Sequence, residues 1–192
     1  MTATVRPVDP DGDAALLTSW VTTERAAFWG MTGLGEEEVA RIYRYIDDQE
    51  HLAAFLVLLD GHPLGLLQTY DPAVDEIGDW YPRQDGDVGM HLLLADDPAR
   101  AGRTGEVLAA MLAFLTSLPG CRRLVLEPDA RNEASLALLL GRLGARRGPL
   151  VDLRTSISEK PAQFCYLDRE RALAAVAELR SVARHTREPV SE

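Results

Sequence analysis

The chain has 192 residues, of which 46% are hydrophobic, and a formal net charge of −10. This length suits one domain with a real core, and the acidic balance argues against nucleic-acid or anionic-membrane binding, which favours basic patches. Cys121 and Cys165 are the only cysteines. They are too few for a disulfide scaffold and lack metal-ligand spacing, so we expect reduced core thiols and no metal site. The first 13 residues lack a targeting pattern, and a cytoplasmic protein is expected.

The first half of the chain predicts a short strand, two helices and a β-hairpin. In chain order these elements are expected at residues 3–8, 14–21, 35–48, 51–59 and 63–70. Asp13 suits the N-cap of the first helix, and three glutamates in the first turn of the second helix complement its dipole. Asp60-Gly61-His62 separates two β-type runs and predicts the turn of the hairpin.

The second half alternates strands with helices. After a long loop at 71–87, the expected elements are a strand at 87–95, a small-residue loop at 99–105, a helix at 106–118, a strand at 123–127, a helix at 132–143, strands near 150–154 and 162–167, and a helix at 170–184. Loops as long as the first one are usually functional or disordered. The order predicts a mixed α/β fold with one sheet, with a single domain at 1–186 and a flexible tail at 187–192.

The small-residue loop opens directly into a helix. Backbone N–H groups at such a helix N-terminus form a site for a phosphorylated ligand. His91 lies within the strand before this loop, and Asp129 follows the strand after the helix. The segment therefore predicts a nucleotide-cofactor cradle with a histidine and an aspartate beside it.

Several motifs together resemble a known family. In chain order they are F-W-G-M at 28–31, D-E-I-G at 75–78, G-D-V-G-M-H-L-L at 86–93, E-P-D-A-R-N at 127–132, and A-Q-F at 162–164 running into D-R-E at 168–170. This set resembles the siderophore-biosynthesis acyltransferases of the GCN5-related N-acetyltransferase fold, which acylate an N-hydroxylated amine to a hydroxamate. The resemblance implies an α/β fold with a single mixed central sheet flanked by helices.

The resemblance also implies the reactants. Acyl-CoA, either acetyl-CoA or succinyl-CoA, would be the co-substrate, and a small N-hydroxylated amine would be the acceptor. The short single-domain form is most similar to desferrioxamine-pathway enzymes that act on N-hydroxycadaverine, with N6-hydroxylysine as the other acceptor. Monomer and homodimer both stay open.

The resemblance further implies site residues. His91 and Asp129 match the catalytic pair that lines the acceptor pocket. The acyl-CoA-binding residues would be Leu92, Leu93, Leu94, Arg100, Gly102, Arg103, Thr104, Gly105 and Asn132. Trp29, Trp80 and Tyr81 are expected to wall the acceptor channel, and no metal is expected. Taken alone, His91 also suits a core histidine, Asp129 a helix-capping or turn residue, and the aromatic residues the core.

Two positions depart from the family pattern. Arg103 stands where the phosphate loop usually has its middle glycine, so we expect its guanidinium to bind phosphate instead. Leu139 stands where many relatives have a tyrosine that protonates the leaving thiolate. Lys160, the only lysine, is assigned no role.

The expected chemistry asks little of a base, because a hydroxylamine is largely neutral at pH 7. Alignment and oxyanion stabilisation by N–H donors of a splayed strand near residues 90–93 would then be the main catalytic terms. Two alternatives remain open at this point. One is an acetyltransferase of the same fold that acts on an ordinary polyamine or aminoglycoside amine, and the other is a non-catalytic acyl-CoA-binding module.

Overall fold

The apolar runs of the sequence pair into one mixed sheet in a computed structural model that describes residues 2–185. The seven strands are β1 (Ala3–Pro7), β2 (Leu52–Leu59), β3 (His62–Tyr70), β4 (Asp87–Leu94), β5 (Arg123–Leu126), β6 (Arg146–Arg154) and β7 (Glu159–Asp168), in the spatial order β1-β2-β3-β4-β5-β7-β6. The helices are α1 (Ala14–Val21), α2 (Glu36–Asp47), α3 (Thr104–Ser117), α4 (Glu133–Leu136) and α5 (Arg169–His185). The predicted fold class is confirmed, and the predicted tail at 187–192 lies outside the described residues.

The hairpin of β2 and β3 forms where the sequence predicts it. Asp60 and Gly61 both have positive φ, of 53° and 82°. A two-residue turn with both φ values positive matches the right-handed twist of the flanking strands, which is why Asp-Gly is favoured there. The pairing of Leu59 with His62 closes the hairpin directly at this turn.

Some elements differ from the sequence-based expectation. The hairpin of β6 and β7 is longer than predicted, because a register shift between Arg147 and Leu150 interrupts the alternating pattern of β6. Three short 3₁₀ segments, Glu24–Trp29, Glu76–Trp80 and Pro98–Arg100, were not predicted. Asp13 precedes α1 as expected, but its carboxylate makes no cap hydrogen bond and instead pairs with Arg6.

The two faces of the sheet carry separate cores. One face packs against α3 and α5, and its cluster includes Leu108, Leu124 and Leu179. The other face packs against α1 and α2, with Leu17 and Leu93 in its cluster. Because side chains alternate along a strand, every second residue of β4 from Leu93 backwards shares the α1/α2 face.

The sheet opens between β4 and β5. These two parallel strands pair only over Asp87–Gly89 and Arg123–Val125. Beyond Gly89, β4 stays paired with β3 as far as Leu94. The β5 side of β4 therefore lacks a strand partner from residue 90 onward, which is the splay that the sequence analysis anticipated.

Within residues 2–185, no helix combines the length and the apolar character that a bilayer span requires. Over the same residues, no group of three or more His, Cys, Asp or Glu side chains is arranged to hold a metal ion.

Candidate active site

His91 lies in the middle of β4, on the face that α1 and α2 cover. Its Nε2 atom lies 2.5 Å from Oε1 of Glu127, the residue that follows β5. The ring of Trp29 approaches it edge-on at a centroid distance of 6.4 Å, and that of Tyr70 lies at 5.4 Å. The His91 side chain remains 35% exposed. It is therefore not a fully buried core histidine, and its Nδ1 atom is the nitrogen through which it can meet a ligand.

Glu127 is a carboxylate with no exposed side-chain surface. Besides His91, the Tyr70 hydroxyl donates to its Oε2 atom at 2.8 Å, and the Lys160 ammonium lies 3.5 Å from its Oε1 atom. Burial by itself raises the pKa of this carboxyl, but the neighbouring cationic and hydroxyl donors outweigh burial and lower the pKa to about 2. The carboxylate is therefore ionised at neutral pH, and Nε2–H of His91 donates to it.

Asp129 pairs with Arg131, and in the described part of the chain no hydrogen bond joins it to His91. Its two carboxylate oxygens accept hydrogen bonds from Nε and Nη2 of that arginine, at 2.9 and 2.6 Å, and Oδ1 also accepts from the Arg131 backbone amide. These hydrogen bonds lower the pKa of the Asp129 carboxyl. Asp129 is therefore a weak base at neutral pH and is better suited to accept a hydrogen bond than to take a proton.

The three predicted channel aromatics have different surroundings. Trp29 is partly exposed and contacts the His91 ring. Tyr81 is buried between Phe164 and Tyr166, and Trp80 packs at the edge of this cluster. Trp29 therefore lies beside the histidine, whereas contact of Trp80 or Tyr81 with an acceptor remains a prediction.

The predicted acyl-CoA residues of β4 border the gap in the sheet. Leu93 is buried in the α1/α2 core, while Leu92 and Leu94 are half-buried against the other face. Arg25 donates to the Leu94 carbonyl at 2.8 Å. Because β4 has no β5 partner beyond Gly89, its backbone along the gap can meet an extended ligand.

Arg100 organises the loop that precedes α3. Its Nε atom donates to the Ala95 carbonyl at 2.5 Å, and its Nη1 atom donates to the Thr104 hydroxyl at 2.7 Å. The guanidinium thus holds the end of β4 and the first residue of α3 in one geometry.

Three amides at the start of α3 remain for a ligand. Those of Gly102, Thr104 and Gly105 have no backbone acceptor among the described residues. Arg142, an exposed residue, has its Nη2 atom 3.2 Å from the position that a Cβ at Gly105 would take. Free amides beside a guanidinium suit a phosphate group.

Arg103 already has an acidic partner. Its Nη2 atom donates to Asp60 at 2.8 Å, and its Nε atom lies 3.9 Å from Glu106. The Arg103 side chain thus ties the loop to the turn between β2 and β3. Binding of phosphate by this guanidinium remains a prediction, and it would require the pair with Asp60 to open.

Asn132 and Leu139 lie on the helix after β5. The Asn132 Oδ1 atom caps α4 by accepting from the Ser135 amide at 3.0 Å. α4 continues into a π-helical turn at Ala137–Arg142, a feature common at functional sites. Leu139 is buried in the α3/α5 core, so this position offers no acid to a leaving thiolate.

Asp87 is committed to the fold. Its two oxygens accept from Nε and Nη2 of Arg123, both at 2.7 Å, and both side chains are buried. The Tyr81 hydroxyl donates to the same carboxylate at 2.9 Å. This ion pair joins the end of the 71–87 loop to β5, the strand that Glu127 follows.

A cleft of about 590 Å³ lies at the start of β4, away from the gap. Tyr70 contributes to its wall, whereas His91 and Asp129 do not. This cleft therefore lies apart from the two residues that are predicted to be catalytic.

Sequence reasoning missed three members of the histidine's surroundings: Tyr70, Glu127 and Lys160. The sequence carried a signal for Glu127, because this residue directly follows an apolar strand. A charged side chain that is buried at such a position almost always has a partner. Lys160 follows a polar turn, and the sequence gave no signal of its place near the histidine. Its ammonium lies beside the buried carboxylate.

The family model described as acetyltransferase (GNAT) domain matches residues 9–153. The chain is 29% identical over 131 residues to N(6)-hydroxylysine O-acetyltransferase from Escherichia coli, covering 67% of this chain and 41% of that protein. It is 26% identical over 119 residues to N-hydroxyputrescine acetyltransferase from Acinetobacter baumannii, covering 61% of this chain and 56% of that protein. The chain thus matches about half the length of these curated relatives.

Solved structures agree on the fold. An uncharacterized protein from Bacillus halodurans superposes with a TM-score of 0.78 at 20% identity, covering 93% of this chain and 90% of that chain. Aminoglycoside acetyltransferase AAC(6')-Ib in complex with coenzyme A superposes with a TM-score of 0.71 at 22% identity, covering 88% of this chain and 96% of that chain. Identities this low support the architecture alone.

Proposed function

Because the chain belongs to the family of acetyltransferase (GNAT) domains, we propose that it transfers an acyl group from acyl-CoA to the nitrogen of an N-hydroxylated amine, forming a hydroxamate for siderophore biosynthesis. N-hydroxycadaverine is the favoured acceptor, N6-hydroxylysine is the other, and acetyl-CoA or succinyl-CoA is the donor. The reaction is proposed to occur in the cytoplasm.

One observation carries this proposal. The half-exposed His91 ring stands on the strand that borders the gap, and its Nε2 atom is held by a buried carboxylate. The names of the curated relatives support an N-hydroxylated acceptor, since two of them act on hydroxylysine and hydroxyputrescine. A ring held in this way can accept one proton from a nitrogen nucleophile.

We assign the donor to the gap between β4 and β5. The thioester arm would run along Leu92–Leu94, and the phosphates would meet the amides at the start of α3, with Asn132 near the arm. Unpaired amides of β4 would donate to the thioester oxygen as it gains charge in the transition state.

The bond changes are simple. The hydroxylamine nitrogen attacks the thioester carbonyl carbon, so the C–N bond forms and the C–S bond breaks. His91 takes the proton that the nitrogen loses, and the thiolate of CoA gains a proton as it leaves. Asp129, ionised through its pair with Arg131, would accept a hydrogen bond from the N–OH group and orient it.

The direct test is product formation. Purified protein with acetyl-CoA or succinyl-CoA and N-hydroxycadaverine is expected to release free thiol and to form a product that gives the coloured iron(III) complex of a hydroxamate. Cadaverine, which lacks only the hydroxyl, is the matched control. Thiol release from cadaverine at an equal or better rate would reject the hydroxamate proposal.

That outcome would support the second candidate, an acetyltransferase of ordinary amines. The aminoglycoside enzymes with the same fold motivate this candidate. Its base would have to deprotonate an ammonium, so activity would rise steeply with pH. Acyl-CoA binding without any thiol release would instead indicate a non-catalytic binding module.

The phosphate loop gives a separate prediction. Gly105→Asp is expected to raise KM for acyl-CoA at least roughly tenfold, because a carboxylate would face the phosphate and charge-assisted hydrogen bonds are worth about 1.5–3 kcal/mol. Gly105→Ala adds the same Cβ without the charge and should have a smaller effect. Steady-state kinetics with varied acyl-CoA measure both.

Arg103→Ala separates two ways of holding the phosphate. If the guanidinium leaves Asp60 to bind phosphate, its loss raises KM for acyl-CoA and spares KM for the hydroxylamine. Unchanged KM for both substrates would mean that Arg103 only joins the loop to the β2–β3 turn.

For the Gly105→Asp variant, a KM for acyl-CoA equal to that of the parent would contradict the proposed placement of the phosphates at the start of α3.

A further inference from the structure

A buried anion lies behind His91. Glu127 has no exposed side-chain surface, and its donors come from three different strands: Tyr70 from β3, His91 from β4 and Lys160 from β7. Burying a charge is costly unless it is paired and hydrogen-bonded. An apolar residue would fill this position in the core with less penalty, so the charge itself calls for an explanation.

The cluster differs from the purely structural ion pair nearby. In the pair of Asp87 and Arg123, the side chains are 1% and 5% exposed, so the charges are closed off from solvent. Around Glu127, by contrast, His91 is 35% exposed and Lys160 is 20% exposed. The buried carboxylate is therefore connected to groups that a substrate can reach.

We infer that Glu127 is a positioning residue that acts on the reaction through His91. Its carboxylate accepts Nε2–H, which keeps the lone pair of the neutral ring on Nδ1. When Nδ1 takes a proton, the same carboxylate stabilises the imidazolium. A carboxylate that orients a histidine and compensates its charge is a general arrangement in catalytic and metal sites.

The other two donors, Tyr70 and Lys160, also act on the Glu127 carboxylate. Tyr70 fixes the carboxylate, and its ring occupies the space over Gly89, where any side chain would overlap it. Lys160 lies near the carboxylates of both Glu127 and Asp129. The ammonium partly neutralises Glu127, so it opposes the stabilisation of a charged His91.

The arrangement also accounts for the absent tyrosine. Leu139 has no proton to give to the thiolate. A protonated His91, stabilised by Glu127, can return to the thiolate sulfur the proton that it took from the nitrogen. One histidine would then serve as base and as acid, and the proton balance of the reaction closes without a second group.

The charged and titratable groups around this pair come from each adjoining element. They are Tyr70 on β3, His91 on β4, Asp129 and Arg131 after β5, and Lys160 and Cys165 on β7. The low pKa of the Glu127 carboxyl keeps it ionised throughout the assay range. A titration seen between pH 5 and 9 in activity therefore does not arise from Glu127 itself.

The test is Glu127→Gln, which keeps the shape and removes the charge. The NMR titration of the His91 imidazole is expected to move to lower pH, because the adjacent negative charge that favours the protonated ring is removed. The acid limb of kcat/KM is expected to move in the same direction, with a lower plateau. A merely structural role would lower the plateau and the melting temperature without moving either titration.

Lys160→Met provides a second variant with the opposite sign. It removes the cation but leaves the carboxylate, so the His91 titration is expected to move to higher pH. The partly exposed Lys160 side chain can be replaced even if Glu127→Gln fails to fold. A shift to lower pH, or no shift, in Lys160→Met would overturn the inference.

A double-mutant cycle completes the test. In a His91→Ala background, Glu127→Gln is expected to cost little further activity, because residues that act as a unit are non-additive. A full additional loss would overturn the inference. The kinetic readouts rest on the proposed acyl transfer, whereas the imidazole titration is measured without substrate. If the hydroxamate assay fails but Glu127→Gln moves the His91 titration to lower pH, the proposed function is rejected. The action of Glu127 on His91 then stands.

Discussion

Replacing His91 with alanine is expected to lower kcat/KM for N-hydroxycadaverine about 100-fold or more, the usual contribution of a general acid–base group. The physical reason is that, in the proposed reaction, the ring carries the proton of the attacking nitrogen, and Leu139, buried in the core where many relatives have a tyrosine, cannot take over. KM for acyl-CoA should stay near that of the parent, because the phosphate loop and the β4 backbone are untouched.

His62→Ala is the matched control for this variant. His62 pairs with Asp97 at the surface, at 2.9 Å, and its side chain is 50% exposed. It should retain parental kinetics. If His91→Ala also kept parental kinetics but melted at a lower temperature, the histidine would be a packing residue, and the proposed role in proton transfer would be wrong.

Asp87→Asn is expected to lower the free energy of unfolding by about 3–5 kcal/mol, because it leaves the buried Arg123 guanidinium without its counter-ion. For a chain of this size the melting temperature should fall by roughly 6–20 °C. The loop at 71–87 should loosen as well, since the Tyr81 hydroxyl donates to the same carboxylate. Denaturant and thermal unfolding of the purified variant measure the changes in the free energy of unfolding and in the melting temperature.

An exposed ion pair provides the contrast. Arg154 and Glu159 are 69% and 72% exposed, so Glu159→Gln should change stability by well under 1 kcal/mol. Combining Asp87→Asn with Arg123→Met should recover part of the lost stability, because the unpaired buried charge is then removed. Equal stability of Asp87→Asn and Glu159→Gln would show that the buried pair contributes no more than a surface one.

The acids of the 71–87 loop also differ in whether the fold pairs them. The sequence places six acids there, yet Asp87 is buried against Arg123, and Glu76 accepts from the Ser156 amide. Asp75 caps the short 3₁₀ segment by accepting from Ile77. A count of the acids along this loop therefore overstates how many carboxylates are free of a partner within the protein.

Local patterns in the sequence determined the elements and the class of fold. The Asp-Gly turn predicted the first hairpin, because those residues tolerate positive φ at both positions. The glutamates at the start of α2 and the small residues before α3 indicated the helix starts, and the alternation of elements indicated one mixed sheet. The splayed strand near residues 90–93 was expected from the chemistry that the family resemblance implies, and the limited pairing of β4 with β5 agrees with it.

Only the tertiary structure decided which groups meet at the site. His91 is joined to Glu127 across 36 residues of sequence, and Tyr70 reaches the same carboxylate across 57. Lys160 arrives from a hairpin whose irregular register hides its length from any periodic pattern. The physical reason is that backbone propensity and hydrophobic periodicity act over a few residues, whereas the partner of a buried charge depends on which strands become neighbours and on which face each side chain points.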